Sequence, residues 1–361
     1  MSRYLSLRDI DWPLLIIVLL ICAVGVLQIY SATLDTRYHS AWWKQILYVG
    51  CGLLLMWAAI RIDYHTLTHY VPFLYIGSVV ALLGTVLAGP TVFGSRRWIP
   101  IPFTGVHLQV SEFVKLVIIL LVVRYLTDLK RDELEIREML VLSGLVAIPV
   151  VLVLAEPDLG TSLTYLAIVV VGAFLAGLRW KYVALIAVLA LLALPVGWHY
   201  LKDYQKARLV SFMDPERDPQ GTGYQLIQSQ IAVGAGGMFG KGVTKGTQTQ
   251  LRFLPVPHTD FIFSAFAEEH GFVGVVFVLS LYFVMIMRIV QNAQTAPDRA
   301  GMYICMGVGG LLLFHMLVNV GMVVGRMPVT GIPLPFMSAG GSNIWSNFLA
   351  LGLVNNVRLR R

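Results

Sequence analysis

The sequence predicts an all-α protein of about ten membrane-spanning helices with one long, partly folded outer loop. Hydrophobic residues make up 57% of its 361 residues and charged ones 13%, and the mean hydropathy is +0.74, far from the range of soluble domains. A hydrocarbon core about 30 Å thick takes roughly 20 apolar residues per helix, and runs of that length recur along nearly the whole chain. The charged residues collect mostly between the runs.

Ten spans are expected, at about 12–32, 42–60, 70–88, 111–127, 138–155, 159–177, 182–200, 263–287, 301–325 and 340–357. The first is long for a signal-peptide core and no small-residue cleavage site follows it, so it is expected to be retained. With the N-terminus in the cytoplasm, the inner segments hold fourteen lysines and arginines, among them Arg61, Arg124, Arg137, Arg288 and Arg358. The short outer segments hold five, Arg37, Lys44, Arg96, Arg97 and Arg326. That bias selects this orientation and puts both termini inside. The net charge of +7 is dispersed along the chain, which argues against nucleic acid. Cys22, Cys51 and Cys305 fall in apolar runs without metal-ligand or pairing spacing, and read as packing residues.

Residues 201–262 make an outer connection far longer than the loops usual between packed helices. Its apolar, aromatic and glycine content fits a folded cap, with Gln225–Val233 a short amphipathic helix. No separate soluble domain is visible, so residues 1–361 read as one polytopic unit containing that loop. "GAGGMFGKG" (234–242) fails as a phosphate-binding P-loop, because Ala235 falls on the first glycine and Gly242 on the serine or threonine. Its glycines fit tight turns or a close backbone approach.

Charges within spans are costly and mark a site or an internal pair. Glu112 and Lys115 open the fourth span three residues apart, on one helix face; an orienting ion pair and a functional role are both open. Asp158, in the turn "AEPDLGTS" (155–162), reads from the residues alone as the N-cap of the next helix. Asp260, in "HTDFIF", stands just ahead of the eighth span, where capping and chemistry compete. Glu268 and Glu269 are expected at its water-exposed outer mouth. His315 and Asn319 are expected to hydrogen-bond between helices. Arg96, Arg97, Glu112, Lys115, Glu156, Asp158, Arg208 and Asp260 all map to the outer half, and the inner half shows no comparable set. An outward pocket with acids and bases suits an anionic, lipid-linked substrate.

The motifs "GSRRWI" (94–99), "SEFVKL" (111–116), "EPDLGTS" (156–162), "DPERDPQGTGYQLIQSQIAVGAGGMFGKG" (214–242), "HTDFIF" (258–263) and "MPVTGIPLPFMSAGGS" (327–342) run in one order along almost the whole chain. In them the sequence resembles the shape, elongation, division and sporulation family. The resemblance implies a ten-span peptidoglycan glycosyltransferase that polymerises lipid II into undecaprenyl-linked glycan at the outer face of the bacterial cytoplasmic membrane. A class B penicillin-binding protein would supply transpeptidation. Motif matching makes Asp260 the catalytic acid of H-T-D-F and gives Glu112, Lys115 and Asp158 the family's functional positions in the fourth span and the P-D-L-G turn. Trp98, Arg208, Gln228 and Gln230 are implied as substrate contacts. The short tails and "MPVTGIPLPF" favour the elongation branch over the division branch. Val256, Val110 and Ala339 depart from the usual pattern without removing a proposed catalytic group.

The implied chemistry suits these residues. Lipid II carries its own pyrophosphate leaving group, so one carboxylate suffices as base, unlike the pair of a glycosidase. Asp260 would take the proton of the acceptor 4-hydroxyl as it attacks the anomeric carbon with inversion. Lys115, Arg208 or a hard cation, Mg2+ or Mn2+, would stabilise the pyrophosphate. The rival reading, a lipid II flippase, requires a polar path to the inner leaflet, and a pure scaffold leaves the intramembrane acids without purpose.

Overall fold

Aspartates placed one residue before apolar runs set several helix ends. The side chain of Asp11 accepts from the Leu14 amide ahead of α1 (Trp12–Thr33), and Asp63 caps α3 (Tyr64–His69) in the same way. Asp158 caps α7 (Leu159–Leu175) and Asp298 caps α12 (Arg299–Val323). A reciprocal Glu135–Glu138 capping box starts α6 (Ile136–Ala155). The computed structural model describes residues 10–34, 36–90, 96–101, 106–129, 134–178, 203–221 and 223–361, with isolated positions between 181 and 199. The remaining helices are α2 (Ala41–Arg61), α4 (Val71–Ala88), α5 (Val110–Asp128), α8 (Asp203–Met213), α9 (Tyr224–Ala235), α10 (Thr247–Gln250), α11 (Ile262–Gln294) and α13 (Gly341–Leu359).

The chain is a multi-pass helical membrane protein. Six helices, α1, α2, α4, α6, α11 and α12, are long and apolar enough to cross a membrane. At three other expected spans stand α5, which carries Glu112, Lys115 and Arg124, α7, which is only 17 residues long, and α13, which holds four asparagines. The expected span 182–200 lies largely outside the described residues. Polar α5 and α13 are hidden inside the bundle, as a lipid solvent demands. Most of α13 is buried, and it packs most extensively on α2. Its Asn356 donates to the carbonyls of Ala59 and Ile60 at the end of α2, while Asn355 accepts from the amide of Asp11.

Two features depart from the expectation. A two-stranded antiparallel ribbon, β1 (Trp98–Ile101) and β2 (Val106–Gln109), joins α4 to α5 and pairs Trp98 with Gln109. The helix ends around Asp11, Asp63, Asp298 and Arg358 also hold charge. Asp11 accepts from Arg288 at 2.9 Å, Asn292 at 2.8 Å and Arg358 at 3.1 Å. His65 bridges Asp63 and Asp298 at 2.9 and 2.7 Å. These contacts tie helix ends together, which a hydropathy scan cannot anticipate.

The long connection ahead of α11 is folded. It contains α8, a 3-10 turn at Pro215–Arg217, α9 and α10. The glycine-rich stretch meets a break in α11 at Gly271, where φ is 65° and ψ is −166°. The amides of Phe272 and Val273 donate to the carbonyls of Gly237 and Met238, and those of Lys241 and Gly242 donate to Glu268 and Glu269. The loop thus satisfies the backbone groups that the break frees. The approach is close enough that a Cβ on Gly271 would lie 2.3 Å from the Gly240 nitrogen, and one on Gly240 2.1 Å from the Glu269 oxygen. Glu268 and Glu269, expected in water, are buried. Glu268 accepts from Lys241 at 2.9 Å and from the Gln248 and Thr249 amides at 2.9 and 3.2 Å, while Glu269 accepts from Ser31 and Gln28.

Gly271→Ala and Gly240→Ala are therefore expected to destabilise by about 1–3 kcal/mol or more, the scale of backbone strain at positive φ. Gly77→Ala, with open space around it, should leave the melting midpoint unchanged or slightly raised. Thermal unfolding in detergent checks this, and equal midpoints for all three variants refute the docking role of the loop.

Candidate active site

The turn after α6, the β ribbon, α8, the segments 249–260 and 330–343 and the start of α5 enclose a cavity of about 1010 Å³. Of the residues singled out from sequence, Trp98, Glu112, Asp158, Arg208 and Asp260 all line it. They arrive from four separate stretches of chain.

Asp158 is the N-cap that the residues alone predict, accepting from the Thr161 amide at 3.1 Å and its hydroxyl at 2.9 Å. Capping does not exhaust it, because Gln109 donates to it at 2.8 Å and Arg97 lies 3.4 Å away. Its carboxylate therefore fixes the ribbon to the start of α7. Asp260 behaves differently: the N-cap of α11 is Phe261, and the helix start carries no side-chain cap. The Asp260 backbone is held by Asn319, whose carboxamide donates to the carbonyls of Asp260 and Ile332 at 3.0 and 2.8 Å. Its half-buried carboxyl faces the cavity. Burial pushes that carboxyl above its ordinary value, against the lowering pull of Arg97 and Arg208, while Asp158 raises it.

Glu112 accepts from Lys115 at 2.7 Å and from Asn343 and Ser346 at 3.1 Å each, so the ion pair is formed, and Glu112 also borders the cavity. Lys115 is 1% exposed and does not border the cavity; it supports Glu112 from behind. Arg208 reaches the Thr330 carbonyl at 3.4 Å. Gln228 and Gln230 lie on α9 away from the cavity, with Gln230 against Gly325. Arg96 is exposed outside the lining. His315 bonds across to Thr164 of α7 at 3.2 Å, as expected between helices, and Asn319 bonds the backbone of Asp260 and Ile332.

Sequence reasoning missed several lining groups. Arg37 sits over the ring of Tyr38 at 4.9 Å, and that ring packs on His258 at 5.1 Å. Arg252, with φ of 61°, borders the same space. The basic-aromatic pair "RY" beside a span end was the available signal, and it was counted only toward topology. Among the described residues no group of three histidines, cysteines or carboxylates could hold a metal.

The family of FtsW, RodA and SpoVE, described as a cell cycle protein, matches residues 11–361. The chain is 36% identical to the peptidoglycan glycosyltransferase MrdB of Escherichia coli strain K12, over 98% of this chain and 94% of that protein. It is similar to a chain of a peptidoglycan synthase complex that coordinates polymerization and crosslinking, with a TM-score of 0.82 and 34% identity over 97% of both chains. It is also similar to the rod shape determining protein RodA of Thermus thermophilus, with a TM-score of 0.71 and 28% identity over 97% of this chain and 96% of that one.

Glu156, buried beside Asp158, is hydrogen-bonded to Thr85 of α4. Burial raises its carboxyl from 4.5 to about 7. A raised carboxyl contributes stability fully below the unfolded value and loses it as pH rises through the folded one. From pH 4.5 to about 7 the protein should therefore lose stability that Glu156→Gln does not lose. Melting midpoints of the two proteins across that range test this; parallel curves refute it.

Proposed function

This chain belongs to the family of FtsW, RodA and SpoVE cell cycle proteins, and from that premise we propose that its cavity polymerises lipid II into glycan strands, with Asp260 as the general base. The chain is a peptidoglycan glycosyltransferase, as its relatives are named across nearly its full length. The observation that carries the catalytic assignment is the carboxyl of Asp260. It caps no helix, opens on a 1010 Å³ cavity, and is flanked by Arg97 and Arg208.

In this reading the acceptor 4-hydroxyl gives its proton to Asp260 while its oxygen attacks the anomeric carbon of the donor sugar, and the pyrophosphate leaves with inversion. Arg97, Arg208, Arg37 and Arg252 all border the cavity and supply positive charge for the phosphates. Trp98 offers an apolar face for a sugar or the first isoprene, and Asp158 fixes Arg97. Glu112 and Lys115 brace the wall. Gln228 and Gln230 act, if at all, through the loop they belong to. Of the three lining carboxylates Glu112 is taken up by Lys115, Asn343 and Ser346, and Asp158 and Asp260 would fit a hard cation, Mg2+ or Mn2+, only with phosphate oxygens of the substrate completing its shell; such an ion would neutralise charge on the leaving group.

The elongation role, the class B penicillin-binding partner, and the orientation with both termini cytoplasmic and the 203–261 segment outside belong to the same proposal. Arginines Arg288, Arg358 and Arg360 at the helix ends opposite the cavity support that orientation. A flippase reading has less support, because apolar Val18, Ile21, Met285, Ile304, Val308 and Ile344 are buried between the two polar ends.

Asp260→Asn should keep its fold and lipid II binding while polymerisation falls by a factor of about 10² or more, the scale of a lost general base. In the unaltered protein activity should fall as pH drops through the raised value of Asp260, so the acid limb lies above the ordinary 3.8. Polymerisation of labelled lipid II by purified protein measures both, and normal synthesis by Asp260→Asn rejects the base. Excess chelator is expected to slow the same reaction; full activity in it removes the cation from the proposal.

A further inference from the structure

Three residues that line the cavity have a buried polar atom without a hydrogen-bond partner among the described residues, Nε of Arg97, Nδ1 of His315 and Oγ1 of Thr330, and the last two belong to uncharged side chains. Both side chains are nine-tenths or more buried, His315 at 1% exposure and Thr330 at 7%. His315 stands on α12 one turn inward of Asn319, the residue that holds the backbone of Asp260. A turn rises about 5.4 Å, so the imidazole lies deeper in the cavity than the carboxyl of Asp260.

Thr164 fixes the roles of the two imidazole nitrogens. Its hydroxyl donates its one proton to the carbonyl of Gly160 at 3.0 Å, the back-bond usual for threonine within a helix. Its oxygen is then left to accept, and His315 Nε2 sits 3.2 Å from it. A neutral imidazole that donates through Nε2 presents Nδ1 as an acceptor. Thr330 meets the same turn of α7, since a Cβ on Gly160 would lie 2.9 Å from the Thr330 carbonyl. His315 and Thr330 therefore pack on the same turn of α7.

A buried acceptor that nothing satisfies is destabilising, and proteins keep one where something else completes it. The character of this corner selects the ligand. Arg37, Arg97 and Arg252 border the cavity and Arg208 reaches the Thr330 carbonyl at 3.4 Å, whereas Thr164 and His315 offer only neutral groups, and an ionised phosphate has no proton to give the Nδ1 acceptor. Phosphate belongs with the arginines. A sugar hydroxyl or an acetamido N–H belongs with a neutral acceptor and a hydroxyl.

We propose that His315 Nδ1 and Thr330 Oγ1 form a neutral sugar-binding subsite on the deep wall of the cavity, with His315 accepting a hydrogen bond from a hydroxyl or acetamido N–H of the substrate. The subsite rests on the glycosyltransferase reading and adds to it a group that binds and orients the ring while Asp260 takes the proton. Thr164 acts through His315 as a positioning residue.

The test compares His315→Leu, His315→Asn and His315→Gln in the full chain, with kcat and KM for labelled lipid II and the pH profile as readouts. The asparagine oxygen falls near the place of Nδ1, and the glutamine amide near that of Nε2. His315→Leu should raise KM about tenfold, the worth of one hydrogen bond, and leave the acid limb set by Asp260 in place. His315→Asn should return KM to within about threefold of the unaltered protein, the remainder reflecting imperfect overlay of the two acceptors, and His315→Gln should not. Unchanged KM in His315→Leu overturns the subsite. Better rescue by glutamine than by asparagine also overturns it, because then only the Thr164 link matters. If the leucine variant does not fold, the asparagine and glutamine pair decides alone. Asp260→Asn, run alongside, separates the two readings: full activity there removes the base, whereas a KM unaffected by His315 with Asp260 essential removes only the subsite.

Discussion

The carboxylate of Glu112 is the point on which the bundle depends. It is 4% exposed, and three donors from two helices meet it: Lys115 on its own helix, and Asn343 and Ser346 on α13. In lipid a charge is tolerated only when it is paired and its remaining lone pairs are filled. Here the requirement is met by drawing the most polar of the long helices, α13, into the interior of the bundle. Breaking such a pair by removing one partner costs about 3–5 kcal/mol elsewhere, so the polar spine is under strong restraint. The apolar helices then gather around it, and the cavity opens where the spine meets the outer loop.

The same rule explains how the outer loop is held. A break at Gly271 strands backbone groups in α11, and the glycine-rich loop supplies carbonyls and amides to meet them. Glu268 and Glu269, on the short stretch before the break, bind the loop and α1 respectively. Asp260 sits immediately ahead of this clamped stretch. Its place relative to the arginines is therefore fixed from one side by the loop and from the other by Asn319.

Hydropathy made the helices legible because burial in lipid is written locally, about 20 apolar residues at a time. The cap at Asp158 was legible for a similar reason, as a pattern within four residues. The helix α9 followed from its own period. What escaped needed partners far away in sequence. Nothing local distinguishes the buried Glu268 and Glu269 from wet ones, because their donors come from residues 28–31 and 241–249. The charges clustered at Asp11 were invisible as a group because Asp11 and Arg358 are 347 residues apart. Gln228 and Gln230, carried over from the family motif, do not border the cavity, since a motif match marks a stretch of helix but not which of its faces meets what. The ribbon had a signal in the apolar stretches on either side of "PFTG", which the all-α expectation absorbed.

The charges around Asp260 set a sequence of events on the proposed reading. Burial raises the pKa of Asp260 above its ordinary value and Arg97 and Arg208 offset part of that rise, so before the donor binds the base stands below what burial alone would make it. A pyrophosphate seated between those arginines adds negative charge close to the carboxylate and offsets their pull. The bound donor therefore makes Asp260 a stronger base at the moment an acceptor hydroxyl needs one. Water entering without the donor meets the weaker base. One carboxylate among movable counter-charges can thus favour transfer to sugar over transfer to water, and no second carboxyl is required for it.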